Sequence, residues 1–308
     1  MGSEIQPADL GFFSTLVSAG SLSAAARELS ITTAAVSKRL AQIEARAGLL
    51  LVNRTTRRRM SLTPEGELYL KHARRILSEI DDMAELLSGA KASPKGLLRV
   101  NATLGFGRRH VAPLVSKFVR AHPDVEVQLQ LSVHPPAQND DFDVSIRFGA
   151  PPETRVIAKH LGPNHRVLCA SPAYIAKHGM PRTLEDLSRH NCIGLRQGDK
   201  GYGIWLLAHN RAEKNEAPLA VKIRGNLSTN DGEIAVNWAL EGHGIILRAE
   251  WDVGRYLRSG RLVRVMPDFH VPDSDLYAVY PPRHQLVARV RDFVEFVAKE
   301  FSKQRHST

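Results

Sequence analysis

"SLSAAARELSITTAAVSKRLAQIEARAG", residues 21–48, contains two short apolar-periodic runs that meet at Ser30-Ile31-Thr32. The first carries Leu22, Ala25, Ala26 and Leu29. It makes about two helical turns and is rich in alanine, so another helix can approach it closely. The second carries Val36, Leu40, Ile43 and Ala47 at intervals of 4, 3 and 4, and Gly48 closes it. Thr32 or Thr33 supplies its N-cap. Its opposite face presents Thr33, Ser37, Lys38, Arg39 and Gln42. Upstream, Leu10, Phe13, Leu16 and Val17 keep helical spacing up to Gly20, and Ser21 can cap the run that follows. Three short helices with a tight second connection match a helix-turn-helix. The major groove admits one helix, and hydroxyl, amide and guanidinium groups there reach base edges. The helix pattern alone also fits an ordinary three-helix bundle with a solvated polar face.

The next segment favours the DNA reading. "LLVNRTTRRRMSLTPEGELYL", residues 50–70, reads as a short apolar strand, a basic turn of Arg54, Arg57, Arg58 and Arg59, and a second short strand at Met60-Ser61-Leu62. This is a β-wing with an arginine tip, suited to phosphates or a narrow minor groove. Residues 38–59 hold seven bases and one acid, Glu44. The whole chain carries a net charge of +10, so part of its basic excess is focused here and the rest is spread over the larger C-terminal part. Thr63-Pro64-Glu65 then opens a helix to about Ala90, with proline at N1 and acid in the first turn. Tyr69, Ala73, Ile76, Ile80, Met83 and Leu87 form a regular 3–4 stripe, the pattern of a coiled-coil seam roughly 40 Å long. A second copy of the chain is the simplest partner for it; packing on the C-terminal part is the alternative.

Residues 8–90 resemble the N-terminal winged helix-turn-helix and linker helix of the LysR-type transcriptional regulators. Ala24-Ala25-Ala26, "TTAAVSKRLAQIEARAG" and "LLVNRTTRRRMSLTPEGE" carry the resemblance. The family often has glutamine at the position of Thr33 and proline at that of Ala34, so the preferred bases are expected to differ here. The resulting DNA-binding set is Ser23, Arg54, Arg57, Arg58 and Arg59 on phosphates, and Thr33, Ala34, Ser37, Lys38 and Gln42 at base edges, with Thr32 and Arg39 beside them. The domains implied are a winged helix-turn-helix over 1–63, a linker helix over 64–90, a hinge over 91–95 in "GAKASPKG", and an effector domain over 96–308.

The C-terminal part reads as strand–helix–strand. "LLRVNAT" is a strand, Val111, Leu114, Val115 and Phe118 keep helical spacing, and "VEVQLQLSV" alternates strictly. "FDVSIRFG" is a further strand, and a second set of elements follows before a last amphipathic helix with Val290, Phe293, Val297 and Phe301. The pattern implies an α/β fold with a largely parallel sheet. Ligands in such sheets sit beyond the carboxyl ends of strands. The candidate effector residues are therefore Thr103, Leu104 and Phe106, Arg147 and Phe148, Arg196, and Thr229 and Asn230. The order of elements is similar to the two-subdomain effector domain of the LysR-type family, which resembles periplasmic solute-binding proteins. That likeness implies subdomain I over about 96–166 and 276–302, and subdomain II over about 167–275. "FDVSIRFGAPP", "PNHRVLCASPAYIAKHG" and "DLSRHNCI" resemble the branch that includes regulators of malate and tartrate breakdown.

Other chemistry finds little support. Gly105-x-Gly107-x-x-His110 lacks the third glycine of a dinucleotide fingerprint. The chain has no CxxC, HExxH or Gly-x-Ser-x-Gly motif, and its two cysteines, Cys169 and Cys192, lie in apolar runs that read as buried. No apolar run reaches the length of a membrane span, and no signal-peptide pattern opens the sequence, so a cytoplasmic protein without membrane contact is expected. The expectation is a ligand-responsive, DNA-binding transcription regulator, with no catalytic residues, no metal and no cofactor beyond a small organic-acid effector, most readily a hydroxydicarboxylate. The resemblance further implies a homodimer through the linker helix, a tetramer through the effector domains, and contact with RNA polymerase. The competing class is a solute-binding or enzymatic α/β protein whose N-terminal helices mediate protein contacts.

Overall fold

Helices α1 (Pro7–Ala19), α2 (Leu22–Glu28) and α3 (Thr33–Ala47) begin and end at the residues that ordinary capping chemistry selects. Ser21 accepts from the Ala24 amide at 3.1 Å and Thr32 from the Ala35 amide at 3.2 Å. Gly20 and Gly48 close α1 and α3 in the left-handed conformation, with φ of 71° and 68°. The computed structural model describes residues 5–53, 60–88, 93–133, 142–149, 151, 156–196, 203–210, 217–272 and 274–305. It divides into two compact units, residues 1–92 and 93–308.

In the first unit, Phe13, Leu16, Ala25, Val36 and Ile43 form the buried core under α1, α2 and α3. Strands β1 (Val52–Asn53) and β2 (Ser61–Leu62) pair antiparallel as the base of the wing. The wing arginines Arg54, Arg57, Arg58 and Arg59 lie outside the described residues. The Glu44 carboxylate is buried and accepts the amides of Leu51 and Val52 at 2.9 and 3.2 Å, so α3 holds the entrance to β1. Helix α4 (Pro64–Ser88) starts at the same place. Thr63 Oγ1 donates to the Leu50 carbonyl at 2.7 Å and accepts from the Gly66 amide at 2.9 Å. The α4 stripe is divided. Tyr69 packs edge-on against Phe13 at 5.1 Å and Ala73 is fully buried, whereas Ile76, Ile80, Met83 and Leu87 are exposed. Burial, and then the nearby Asp9 carboxylate, raise the Tyr69 pKa, so the phenol stays protonated.

The second unit is two-lobed. The first lobe is a five-stranded sheet in the order β4-β3-β5-β15-β6, formed by β3 (Gly96–Thr103), β4 (Val125–Ser132), β5 (Val144–Phe148), β6 (Ile157–Gly162) and β15 (Leu276–Tyr280). Strands β3, β4 and β5 are parallel, and β15 runs antiparallel to β5 and β6. A helical run follows β3 as α5 (Leu104–Phe106), a π-helical turn at Gly107–Val111 and α6 (Ala112–Ala121). It packs with α11 (Ala288–Arg305) on the sheet, around Leu98, Phe118, Ile146 and Phe293.

The chain crosses from β6 into β7 (Arg166–Ala170) and comes back through β14 (Phe269–His270) to β15. Between the crossings lie α7 (Pro172–His178), α8 (Leu184–Leu187), β8 (Gly194–Leu195), β9 (Ile204–His209), β10 (Leu219–Lys222), β11 (Ser228–Thr229), α9 (Gly232–Leu240), β12 (Ile246–Ala249), α10 (Glu250–Arg258) and β13 (Val263–Val265). This second lobe has its own buried clusters around Leu168, Trp205 and Ile245, and around Ala235, Ile246 and Val253. In the first lobe the expected parallel arrangement holds for β4-β3-β5. The sheet β12-β7-β13 is antiparallel, as are the pairings of β9 with β10 and β14, while β8 and β11 are parallel. The two crossings are the reason for the reversed β15: it re-enters the first sheet from the second lobe.

A Cβ at Gly66 would stand 2.0 Å from the Leu51 carbonyl oxygen, so the start of α4 approaches the wing base over bare backbone. Gly66→Ala is therefore expected to destabilise the first unit by about 1–3 kcal/mol, despite alanine's better helix propensity. Thermal unfolding of the full chain followed by circular dichroism measures this. A gain in stability would show that the close approach is not a constraint.

Candidate DNA-binding face and effector cavity

Ser23, Thr33, Ala34, Ser37, Lys38 and Gln42 are exposed on the first unit. Residues 34, 38 and 42 follow one another at one-turn intervals, with Ser37 alongside, so they form a single ridge on α3. Thr32 uses its hydroxyl to cap α3. Arg39 departs from the expected arrangement. Its guanidinium lies 4.7 Å over the Phe12 ring, donates to the Ala8 carbonyl at 2.8 Å and sits 3.7 Å from Asp9. Position 39 falls three residues after buried Val36 and four before buried Ile43, which turns it toward α1. Asp9, itself buried, also accepts from Arg46, so both arginines tie α3 to α1.

A cavity of about 420 Å3 opens between the two lobes of the second unit. Thr103, Leu104, Phe106 and Phe148 line it from the first lobe, and Asn230 from the second. Three further sequence candidates do not. Val144 and Ile146 of β5 face the core with Phe148, so Arg147 projects from the opposite side of the strand. Ile193 and Leu195 line the cavity, and the exposed Arg196 that follows falls on the alternate side. Thr229 is next to the cavity but turns its hydroxyl to the Asp231 amide at 3.0 Å.

The cations in the lining are Arg166, at the start of β7, and Arg248, in the middle of β12. Arg166 donates to the Pro272 carbonyl at 2.9 Å, which joins the two crossing segments. Arg248 is buried and its Nε donates to Asp252 at 2.9 Å. Asp252 also accepts from Arg109 of the π-helical turn at 2.9 Å, a bond from the opposite lobe. Its neighbour Arg108 reaches Glu233 of the second lobe at 2.9 Å. Asn164 is buried in the first crossing; it accepts the Trp251 indole N–H at 2.9 Å and donates to the Ser274 carbonyl at 3.1 Å. The sequence held a usable signal for Arg248, a charge inside the apolar run "GIILRAEW". Asn164 and Trp251 become site residues only through contacts across the crossings.

Two helix starts face this cavity. Leu104, Gly105 and Phe106 begin the run to Ala121, and Thr103 at its N-cap makes no side-chain capping bond. Gly232 opens α9. First-turn amides lack intrahelical acceptors and carry the positive end of the helix dipole. A Cβ at Gly232 would stand 2.2 Å from the Arg248 guanidinium, so glycine lets that cation lie against the start of α9. Cys169 and Cys192 are both free and buried, and burial pushes each thiol up to about 12, far from a reactive thiolate at neutral pH. Among the described residues no group of three His, Cys, Asp or Glu could hold a metal ion, and no helix is long and apolar enough to cross a membrane.

A winged helix-turn-helix, a long helix and a two-lobed α/β unit with a cavity between its lobes define a DNA-binding regulator with a ligand-sensing domain. The chain belongs to the LysR family of bacterial transcriptional regulators: residues 7–67 match the bacterial regulatory helix-turn-helix protein, lysR family, and residues 91–302 match the LysR substrate binding domain. It is similar to the HTH-type transcriptional regulator DmlR of Escherichia coli (strain K12), with 38% identity over 296 residues, 96% of this chain and 94% of that protein. The HTH-type transcriptional activator TtdR of Escherichia coli (strain K12) is 37% identical over 291 residues, 94% of this chain and 92% of that protein. Among solved structures, CrgA, a LysR-type transcriptional regulator from Neisseria meningitidis, superposes with a TM-score of 0.60 at 28% identity, covering 97% of this chain and 99% of that one.

Asp252→Ala would leave two guanidiniums, Arg248 and Arg109, without their shared carboxylate in a buried position. The expected effect is a loss of about 3–5 kcal/mol in the stability of the second unit. Urea unfolding of the full chain measures it, and a loss below 1 kcal/mol would remove Asp252 from the centre of the lobe contact.

Proposed function

We propose that the inter-lobe cavity senses a small organic acid, a hydroxydicarboxylate, and that its occupancy controls how α3 engages double-stranded DNA. The observation that carries the effector class is the convergence of Arg166, Arg248 and two helix starts on one cavity. Guanidiniums hold carboxylates by charge-assisted, often bidentate bonds, and helix starts favour a second anionic group. Asn164, Asn230 and the Thr103 hydroxyl supply polar partners for the hydroxyls between them. The resemblance to the malate and tartrate branch supports the same class.

On the DNA side, Thr33, Ala34, Ser37, Lys38 and Gln42 meet base edges, while Ser23 and the wing arginines Arg54, Arg57, Arg58 and Arg59 hold phosphates. The exposed Ile76, Ile80, Met83 and Leu87 pair two chains along α4, since an apolar stripe in water gains by burial. The family resemblance extends the proposal to a tetramer through the effector domains and contact with RNA polymerase, in the cytoplasm, with no cofactor beyond the effector.

Two measurements test this. Calorimetry with L-malate and L-tartrate is expected to show binding that Arg166→Gln weakens at least tenfold and that Arg196→Ala leaves unchanged. A neutral or cationic effector, or a dicarboxylate that binds both variants alike, would overturn the effector class. Fluorescence anisotropy with the DNA upstream of the protein's own gene tests α3. Ser37→Ala should change the preference for this DNA over random duplex by about 1–3 kcal/mol. Arg39→Ala should lower thermal stability and leave that preference intact; equal shifts in preference from both would reject the split of roles.

A further inference from the structure

The arginines and polar groups make up only part of the inter-lobe cavity wall. Leu104 and Val133 add apolar surface from the first lobe, and Leu195, Ile204 and Leu206 add it from the second. Ile204 and Leu206 stand out. They alternate along β9 with Trp205 and Leu207, which are buried in the core of the second lobe. Those two anchors fix the strand and turn Ile204 and Leu206 outward, where they are 56% and 48% exposed. Large aliphatic side chains are thus left wet in the wall of a ligand cavity, and covering them with an apolar group is favourable.

The register of β9 places this apolar surface beside a cation. β9 pairs antiparallel with β14, Ala208 opposite His270. Leu206 and Ile204 therefore follow on the side toward which the chain continues from His270, to Val271 and Pro272. The Pro272 carbonyl is the one that receives Arg166. A carboxylate held by Arg166 puts its neighbouring carbon next to the β9 wall. Malate and tartrate carry oxygen on most of their carbons. Set against Ile204 and Leu206, those groups lose water without gaining partners, which costs free energy. The cavity, of about 420 Å3, is also of a size that takes a drug-sized ligand, more than a four-carbon diacid fills.

We propose that the effector is a hydroxydicarboxylate bearing a branched alkyl group on its carbinol carbon, and that Ile204 and Leu206 select it. The inference rests on the dicarboxylate reading above and adds the third substituent. The carboxylates engage Arg166 and a helix start, and the alkyl group covers Ile204 and Leu206. Leu104 and Val133 offer apolar surface to the same group from the opposite lobe. An unsubstituted diacid meets the same charges and leaves the β9 wall wet. The alkyl arm therefore adds affinity through contacts with both lobes, and a ligand shifts their arrangement only by such differential contacts.

The test is calorimetry on the full chain with malate, 2-methylmalate and 2-isopropylmalate, each as the racemate. Affinity is expected to rise along the series, with 2-isopropylmalate at least tenfold tighter than malate. Ile204→Thr combined with Leu206→Thr keeps strand-forming side chains at exposed positions. It should cut that advantage at least fivefold and leave malate affinity within twofold. Ile204→Thr alone decides the matter if the double variant does not fold. Arg166→Gln should weaken all three ligands. Malate binding with no gain along the series, or a gain that both threonine variants leave unchanged, would overturn this inference and leave the dicarboxylate reading standing. Binding of none of the three would overturn that reading, and this inference with it.

Discussion

Asp252 sits where the two lobes meet, and their arrangement depends on how its charge is satisfied. The carboxylate is buried, so in isolation it would carry a large desolvation penalty. Arg248 of the same lobe covers one side and Arg109 of the other lobe covers the rest. Separating the lobes removes Arg109 and hands that part of the work to water. The neighbouring pair of Arg108 with Glu233 is half exposed and contributes less. Because Arg248 is held this way, it can also stand at the cavity wall against the start of α9. The residue before Asp252, Trp251, reaches Asn164 in the crossing and lines the inter-lobe cavity. Lobe contact, crossing and cavity wall thus share one short segment of α10.

The first unit uses charge in the same way, on a smaller scale. Glu44 faces inward and accepts two amides at the wing base, and Asp9 faces inward and receives Arg46 and Arg39. These bonds fix α3 against α1 and the wing against α3. The ridge of Ala34, Ser37, Lys38 and Gln42 is left outside them, with its side chains exposed. This division of polar residues gives α3 a rigid backbone under uncommitted side chains.

Much of the architecture was legible in the order of residues because it rests on local rules. Helical spacing placed α1, α2 and α3, and Ser21, Thr32, Gly20 and Gly48 marked their ends by capping chemistry that acts within a few residues. Alternation placed β4, with Val125, Leu129 and Leu131 against one core. The same rules misplace Arg39 and Arg147. Each lies one position away from a residue on the expected face, Lys38 and Phe148, and one position changes the face of a helix or strand.

The sequence by itself determined the element types, the winged helix-turn-helix, the long apolar stripe of α4 and the two-part α/β plan, since periodicity and caps are properties of neighbouring residues. Only the tertiary structure decided which cations line the cavity. Arg166 and Arg248 lie 82 residues apart, and what unites them is the pairing of β7 with β12, which sets Arg166 opposite Ala249 and Arg248 opposite Val167. Tertiary packing also divided the α4 stripe, burying Ala73 and packing Tyr69 on Phe13 while leaving Ile76 onward exposed. The direction of β15 was settled the same way, by a chain that returns from the second lobe. In each case the deciding contact joins residues far apart in the chain, and no local pattern encodes the surface that a distant segment will cover.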